Sequence, residues 1–441
     1  MIKKMTNVLV IGVKKYLPSP YVLALLLSLI TFVSGWLFTE AGFMDMTKYF
    51  GDGLYSLLAF TMQMVLVLVT GHVLASSKIV VSILQKLAKL PKNKVQAVMF
   101  TAFVSYICSY INWGFGLIAG ALIAKEIATV NYGSKIHYPL IIAAAYSGNI
   151  ARGPSSSIPL AIATKGHIVE DVVGIIPVSQ TLFSSWNMII TIALLIAIPF
   201  LFKAMTPNDE DSIEIKIDRD EVKEVKKVVN KKDMTFSERL DNSMLLAYII
   251  GGLGLIYLVS YFIKSASFDL NLNIVIMIFL VLGIFAQKTP GNYVKAMQNA
   301  VKTTAGITLQ FMFYAGIMGM MRGSGLTVML SEWFISISTV KTFPLFTFWS
   351  AGFVNIFVPS GGGQWAVQGP IAMTAGASLG VDPAKVNMAL AWGDSWTNQI
   401  QPFWALPALA IAGLDVGDIM GYCAMVLLMS GVIISLAFLI L

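Results

Sequence analysis

Between Phe353 and Pro407 the chain reads FVNIFVPSGGGQWAVQGPIAMTAGASLGVDPAKVNMALAWGDSWTNQIQPFWALP, apolar enough for a bilayer yet twice interrupted. Ser360, Gly361, Gly362, Gly363 and Gln364 break one hydrophobic run. Asp394, Ser395, Thr397, Asn398 and Gln401 break the next, just ahead of Pro402. In hydrocarbon an unpaired backbone N–H or C=O costs several kcal/mol, so non-helical backbone persists there only under protein or beside a water-filled cavity. Two interruptions in neighbouring runs therefore predict that they meet around such a cavity.

The rest of the chain is built for the same solvent. Only 12% of its 441 residues are charged and 57% are hydrophobic, with mean hydropathy +0.77, whereas soluble domains carry about 25% charged residues. Apolar runs at 20–38, 54–76, 183–202, 244–263, 272–286, 301–321 and from 418 onward approach the roughly 20 residues of a spanning helix. Further helices are expected near 95–110 and on to about 130, on either side of the break Asn112-Trp113-Gly114-Phe115-Gly116, and residues 138–164 read as a second broken segment. Short alternating segments of a β-barrel are missing from this pattern, so the fold class is an all-α polytopic membrane protein.

The net charge of +7 is a property of the loops and reads as an orientation signal, with no nucleic-acid partner. Lys3, Lys4, Lys14 and Lys15 hold the N-terminus in the cytoplasm, and it reads as retained because no small-residue cleavage site precedes the first span. Residues 39–53, with Glu40, Asp45 and Asp52, read as an outer loop, and the acid-free stretch 77–94, with five lysines, as a cytoplasmic one. Residues 203–241 are dense in both charges and read as a cytoplasmic linker. This divides the chain into a first membrane repeat (1–202), the linker, and a connecting span plus second repeat (242–441). Cys108 and Cys423 stand far apart in apolar runs and read as packing residues, and His72, His137 and His167 have no metal-site spacing.

Shifting the sequence by 248 residues pairs Gly114 with Gly362, Ser147 with Ser395, Pro154 with Pro402 and Pro159 with Pro407. A shift of 247 pairs Gln63 with Gln310 and Gly166 with Gly413. The matches fall in broken segments or their flanks, as duplicated halves would. The lysine-rich stretch 77–94 corresponds to one with few positive charges after residue 321, which puts equivalent elements on opposite sides. Two inverted-topology repeats with broken helices or re-entrant hairpins follow, an arrangement that places substrate at the repeat interface in secondary transporters.

Consecutive amides at Pro359 to Gln364 suit an anion at a helix start, with a plain hinge as the alternative, and Gln364, Trp365 and Gln368 follow at helical spacing. Asn112, Gly114 and Gly116 form the shorter counterpart. Asp394 is an intramembrane acid, hence a candidate for a coupling cation or proton, with Ser395, Thr397 and Asn398 as neutral oxygens. The alternatives are a cap or a pairing with Arg152. Arg152 offers a fork of donors matched to a carboxylate, beside Ser147, Asn149 and Ser155 to Ser157; three consecutive hydroxyls are not expected to face one point. Trp365, Trp392, Trp396, Phe403 and Trp404 are candidates for an apolar compartment.

The runs VPSGGGQWAVQGPI, WGDSWTNQIQPFWALP and AAYSGNIARGPSSSIPLAIATKGH resemble the bacterial short-chain fatty acid transporter family, and the resemblance extends over essentially the whole chain. It implies an uptake carrier in the cytoplasmic membrane for small monocarboxylates such as acetate, butyrate or acetoacetate, coupled to H⁺ or Na⁺ with no other cofactor. Kinship with the ion transporter superfamily further implies a scaffold and a moving transport domain, an elevator motion and a homodimer. A dicarboxylate or amino-acid carrier would want more charge in the broken segments, and an anion channel is the other alternative. An enzyme is not indicated: Asp394 lacks a second aspartate and no His-Glu-x-x-His pattern exists.

Overall fold

The computed structural model describes residues 20–56, 58–163, 165–167, 169–215, 234–264, 272–356 and 361–441. The N-terminal lysines, the middle of the charged linker, Pro359 and Ser360 lie outside them. In chain order the helices are α1 (Pro20–Phe38), α2 (Phe43–Gly53), α3 (Leu58–Ala75), α4 (Lys78–Ala88), α5 (Lys94–Ile111), α6 (Trp113–Val130) and α7 (Tyr138–Ser147). They continue with α8 (Ser157–Ile162), α9 (Glu170–Val173), α10 (Ser185–Met205), α11 (Phe236–Asp241), α12 (Met244–Lys264), α13 (Leu272–Gln287) and α14 (Pro290–Val301). The remainder are α15 (Ala305–Gly323), α16 (Leu326–Ser336), α17 (Phe343–Asn355), α18 (Gly361–Ser378), α19 (Pro383–Thr397), α20 (Pro402–Ala412) and α21 (Val416–Ile440).

Among the described residues five helices, α5, α6, α10, α12 and α21, are long and apolar enough to cross a bilayer, and α3 and α4, bent by 69° at their junction, are so only together, as one broken span or a re-entrant loop. Shorter apolar stretches occupy Ala24–Phe38 and Asn273–Gln287. The chain is a multi-pass membrane protein.

Two stretches expected as loops are helices. Residues 43–53 form α2 because the Asp45 carboxylate takes the Gly42 N–H at 2.9 Å and starts a helix whose Met46 and Gly53 are buried. It packs on α15 so closely that a Cβ on Gly53 would stand 2.8 Å from the Ala315 carbonyl oxygen. Residues 78–88 form α4, capped by Ser77, whose Oγ accepts from Val80 N. In both, a local capping oxygen satisfies otherwise orphaned amides, and charge density hid the helix from a hydropathy reading.

Element boundaries recur along the chain. A shift of 248 carries the bounds of α4 onto those of α16, and the bounds of α6 onto those of α18. Packing across the halves is reciprocal: α1 and α2 lie on α15 while α13 and α14 lie on α3, and α6 meets α20 while α18 meets α8. Helix association in lipid rests on close packing and interhelical hydrogen bonds rather than on hydrophobic burial, and such bonds join the halves. Gln63 Nε2 donates to Asn273 Oδ1 at 2.9 Å, Gln287 Nε2 to the Val73 carbonyl at 2.7 Å and Trp392 Nε1 to Asn187 Oδ1 at 2.8 Å.

The start of the charged linker is tied down. Ile213 exchanges bonds with Tyr138 N and His137 Nδ1, and Glu214 accepts from Gly133 N and Lys135 N. Lys94 Nζ lies 2.5 Å from Asp209 and holds that carboxyl below its ordinary range through their hydrogen bond.

Candidate functional site

Each broken segment ends a helix, makes one 3-10 turn and restarts. α7 stops at Ser147, turns through Gly148–Ile150 and reaches α8 by a second turn at 153–156, whereas α19 stops at Thr397, turns through Asn398–Ile400 and restarts with Pro402 at the first position of α20. Proline lacks the N–H that an unbroken helix would need and is tolerated in the first turn, so it fixes the restart. The turns lie against each other, and beside them Tyr146 Oη, from the end of α7, donates to the Asn398 carbonyl at 2.6 Å.

Asn112 makes the third break. Its extended backbone (φ −154°, ψ 124°) separates α5 from α6, and its Oδ1 accepts from Phe115 N at 2.8 Å as the cap of α6. α18 begins at Gly361, with Gly362 and Gly363 in its first turn. The first residues of α6 and α18 border one cavity of about 40 Å³, together with the 149–157 segment and the end of α19. Helix N-termini carry a partial positive charge and unsatisfied N–H groups, so two of them converge on this space.

Arg152 and Asp394 face each other inside it, both side chains more than nine-tenths buried. Arg152 Nη1 stands 4.0 Å from Asp394 Oδ2, and Nη2 donates to the Asn149 carbonyl at 3.4 Å. Among the described residues Arg152 Nε and Asp394 Oδ1 have no hydrogen-bond partner. A buried donor and acceptor without partners are costly, and an anionic oxygen on Arg152 Nε together with a proton or cation on Asp394 Oδ1 would satisfy them. Gly361 leaves that space open: a Cβ there would meet Ser157 Oγ and come within 3.4 Å of Asp394 Oδ2.

The expected site residues separate into two groups. Asn149, Arg152, Gly361, Asp394 and Asn398 border the cavity, and so do Ser155, Ser156 and Ser157 together. The three serines come to one place because a tight turn, closed by the Ser156 N–H on the Gly153 carbonyl at 2.9 Å, stands there in place of helix. Two of their hydroxyls are engaged, with Ser155 Oγ accepting from Trp113 N at 3.1 Å and Ser156 Oγ from Gly153 N at 3.0 Å.

The second group lies in helix packing outside the lining. A Cβ on Gly114 would stand 2.8 Å from the Val67 carbonyl oxygen, where α6 crosses α3 backbone to backbone, and Gly116 abuts Ser109. Ser147 and Ser395 hydroxyls bond carbonyls of their own helices, and Thr397 donates to Gly352 O at 2.9 Å. Gln364 donates to Ala351 O at 2.8 Å and to Gln368, which reaches Ser350 Oγ at 2.9 Å, so the pair fastens α18 to α17. Of the aromatics, Trp404 borders the cavity, edge-to-face with Trp113 at 5.3 Å. Trp392 and Trp396 are held by Asn187 and the Leu427 carbonyl.

Sequence reasoning missed Asn355. Its Nδ2 lies 2.8 Å from the Asp394 carbonyl, 2.9 Å from Thr397 Oγ1 and 2.8 Å from Asn398 Oδ1, and Gln401 Nε2 donates to its carbonyl at 3.0 Å. The signal was a lone amide in the apolar run GFVNIFV.

A model of one family, described as short chain fatty acid transporter, matches residues 1–441. The chain belongs to that family. Two relatives named "Putative short-chain fatty acid transporter" align over almost the full length: one from Escherichia coli (strain K12), 46% identical over 98% of both chains. The other, from Haemophilus influenzae (strain ATCC 51907 / DSM 11121 / KW20 / Rd), is 43% identical over 96% of both. Among solved structures, the Alcanivorax borkumensis YdaH transporter aligns with 96% of this short-chain fatty acid transporter family member and 97% of its own chain, at 16% identity and a TM-score of 0.41. That likeness is too loose to carry an argument.

Proposed function

We propose that this chain is a secondary active carrier that takes up small monocarboxylates such as acetate, butyrate and acetoacetate across the bacterial cytoplasmic membrane. The observation that carries the reading is the buried Arg152 fork, 4.0 Å from Asp394, beside a cavity of about 40 Å³. A cavity holding one water needs about 10–15 Å³, so the space suits a few heavy atoms and not a long chain. The carboxylate would lie on Arg152 and the α18 N-terminus, with the alkyl part against Trp113 and Trp404.

Charge balance supplies the coupling. Arg152 and Asp394 sum to zero, so a bound carboxylate alone leaves one uncompensated negative charge in a low-dielectric site, which is strongly unfavourable. A proton on Asp394, or Na⁺ held by Asp394 and Asn398, restores neutrality and makes the empty and fully loaded states the ones able to cross. The recurring helix bounds and the reciprocal packing of the halves support an inverted duplication, with alternating access by an elevator movement of the site-bearing helices in a homodimer whose N-termini are cytoplasmic.

Labelled butyrate uptake into proteoliposomes tests the reading. Accumulation above equilibrium under an imposed H⁺ or Na⁺ gradient is expected, and downhill flux alone under both gradients would make the chain a channel.

A further inference from the structure

A second cavity lies away from the first, on the outer face of α5 and α10. It is a groove of about 650 Å³ walled by Met99, Phe100, Phe103, Leu195, Ile196 and Phe200, with Lys92 at one end. Both walls are membrane-spanning helices, and Phe103, Ile196 and Phe200 are exposed along it. From its first residue Lys94 to Phe103, α5 rises by roughly 14 Å at about 1.5 Å per residue, close to half of the roughly 30 Å hydrocarbon core. The groove is therefore one leaflet deep, apolar along its length and cationic at its mouth.

The cationic mouth is not neutralised by the protein. Lys94 is bound to Asp209 and to the Pro207 carbonyl, whereas Lys92, in the lining, and Lys89, the C-cap of α4 and chain neighbour of the lining residue Leu90, take part in no ion pair among the described residues, and both are exposed. Basic residues at the end of a groove between membrane helices recognise anionic headgroups. We propose that this groove is a binding site for one anionic phospholipid, its acyl chain along Phe100, Phe103 and Ile196 and its phosphate between Lys89 and Lys92. The lipid would cover the seam between α5, which packs directly on α6 and α7 of the transport site, and α10.

Native mass spectrometry of the full chain, released from nanodiscs of mixed phosphatidylglycerol and phosphatidylcholine, tests this. Wild type is expected to retain one phosphatidylglycerol with a preference of roughly thirtyfold, the ratio that two lysines near the surface correspond to. The double variant Lys89→Gln/Lys92→Gln should bring the preference close to parity, while Lys264→Gln/Lys302→Gln, which alters lysines elsewhere, should keep it. Met99→Trp, which fills the groove, should remove the retained lipid of either kind. Equal retention of both lipids by wild type, or an unchanged preference in the Lys89/Lys92 variant, overturns the proposal. So does a Met99→Trp variant that keeps its lipid but changes from dimer to monomer, which would make the groove an interface between copies.

Discussion

Arg152 Nη1 and Asp394 Oδ2 stand 4.0 Å apart, close enough for strong attraction and too far for a hydrogen bond. The two residues come from opposite halves of the chain, so the gap between them reports on how the halves are set. A closed bidentate pair would consume the donors that the proposed function assigns to a substrate carboxylate; an open one keeps them available while keeping the net charge near zero.

Replacing Asp394 by Asn removes the negative charge and preserves shape. Arg152 then meets an incoming monoanion with no competing carboxylate, so the account predicts a lower KM for butyrate together with loss of gradient-driven accumulation. Exchange of labelled for unlabelled butyrate should persist. Proteoliposome assays of counterflow and of net accumulation measure the two separately, and undiminished accumulation would remove Asp394 from the coupling step.

In the proposed account Asn355 has a positioning role, since its amide is bonded to the end of α19 and it does not border the cavity. Asn355→Ala deprives the Asp394 carbonyl, Thr397 and Asn398 of a shared donor, at a cost of about 1–3 kcal/mol for buried groups left unsatisfied. A lower melting temperature in detergent is expected, along with a raised KM because the α19 end loosens. A variant as stable as wild type would show that the amide is dispensable.

Gly361 and Gly252 form a matched comparison. A methyl at Gly361 meets Ser157 Oγ and stands 3.4 Å from Asp394 Oδ2, while one at Gly252 meets nothing within 4 Å. Gly361→Ala should yield folded protein with uptake reduced at least tenfold, on the order of 1.4 kcal/mol, and Gly252→Ala should transport at the wild-type rate. Equal rates in the two variants would place the ligand elsewhere.

Trp404 closes the cavity on its apolar side against Trp113 and Phe311, at centroid distances of 5.3 and 6.0 Å. Trp404→Ala should widen this wall and move selectivity from butyrate toward hexanoate by roughly tenfold, given about 0.8 kcal/mol for each buried methylene. Competition of C2 to C8 acids against labelled butyrate reads the shift.

The broken segments were legible because glycine, proline and polar residues within an apolar run have few physical outcomes in lipid, and because the same punctuation recurs 248 residues apart. Short helices were not. α2 and α4 owe their starts to Asp45 and Ser77, single local caps that a hydropathy reading averages away. Amide side chains were the hardest: Gln364 and Gln368 have the donors of a binding site but spend them on Ala351 and Ser350, while Asn355, alone in a greasy helix, organises the α19 end. Identical chemistry serves packing or ligand according to which neighbours the fold supplies, and sequence spacing does not carry that information.

The most direct test of the account is the KM for butyrate of Arg152→Lys in proteoliposomes, with protein integrity checked by size exclusion. Lysine keeps the charge that balances Asp394 but loses the planar fork, so the account predicts a KM raised by roughly 10- to 100-fold, the range for one lost charge-assisted hydrogen bond, with succinate failing to compete in either protein. A KM unchanged from wild type would contradict the placement of the carboxylate on Arg152.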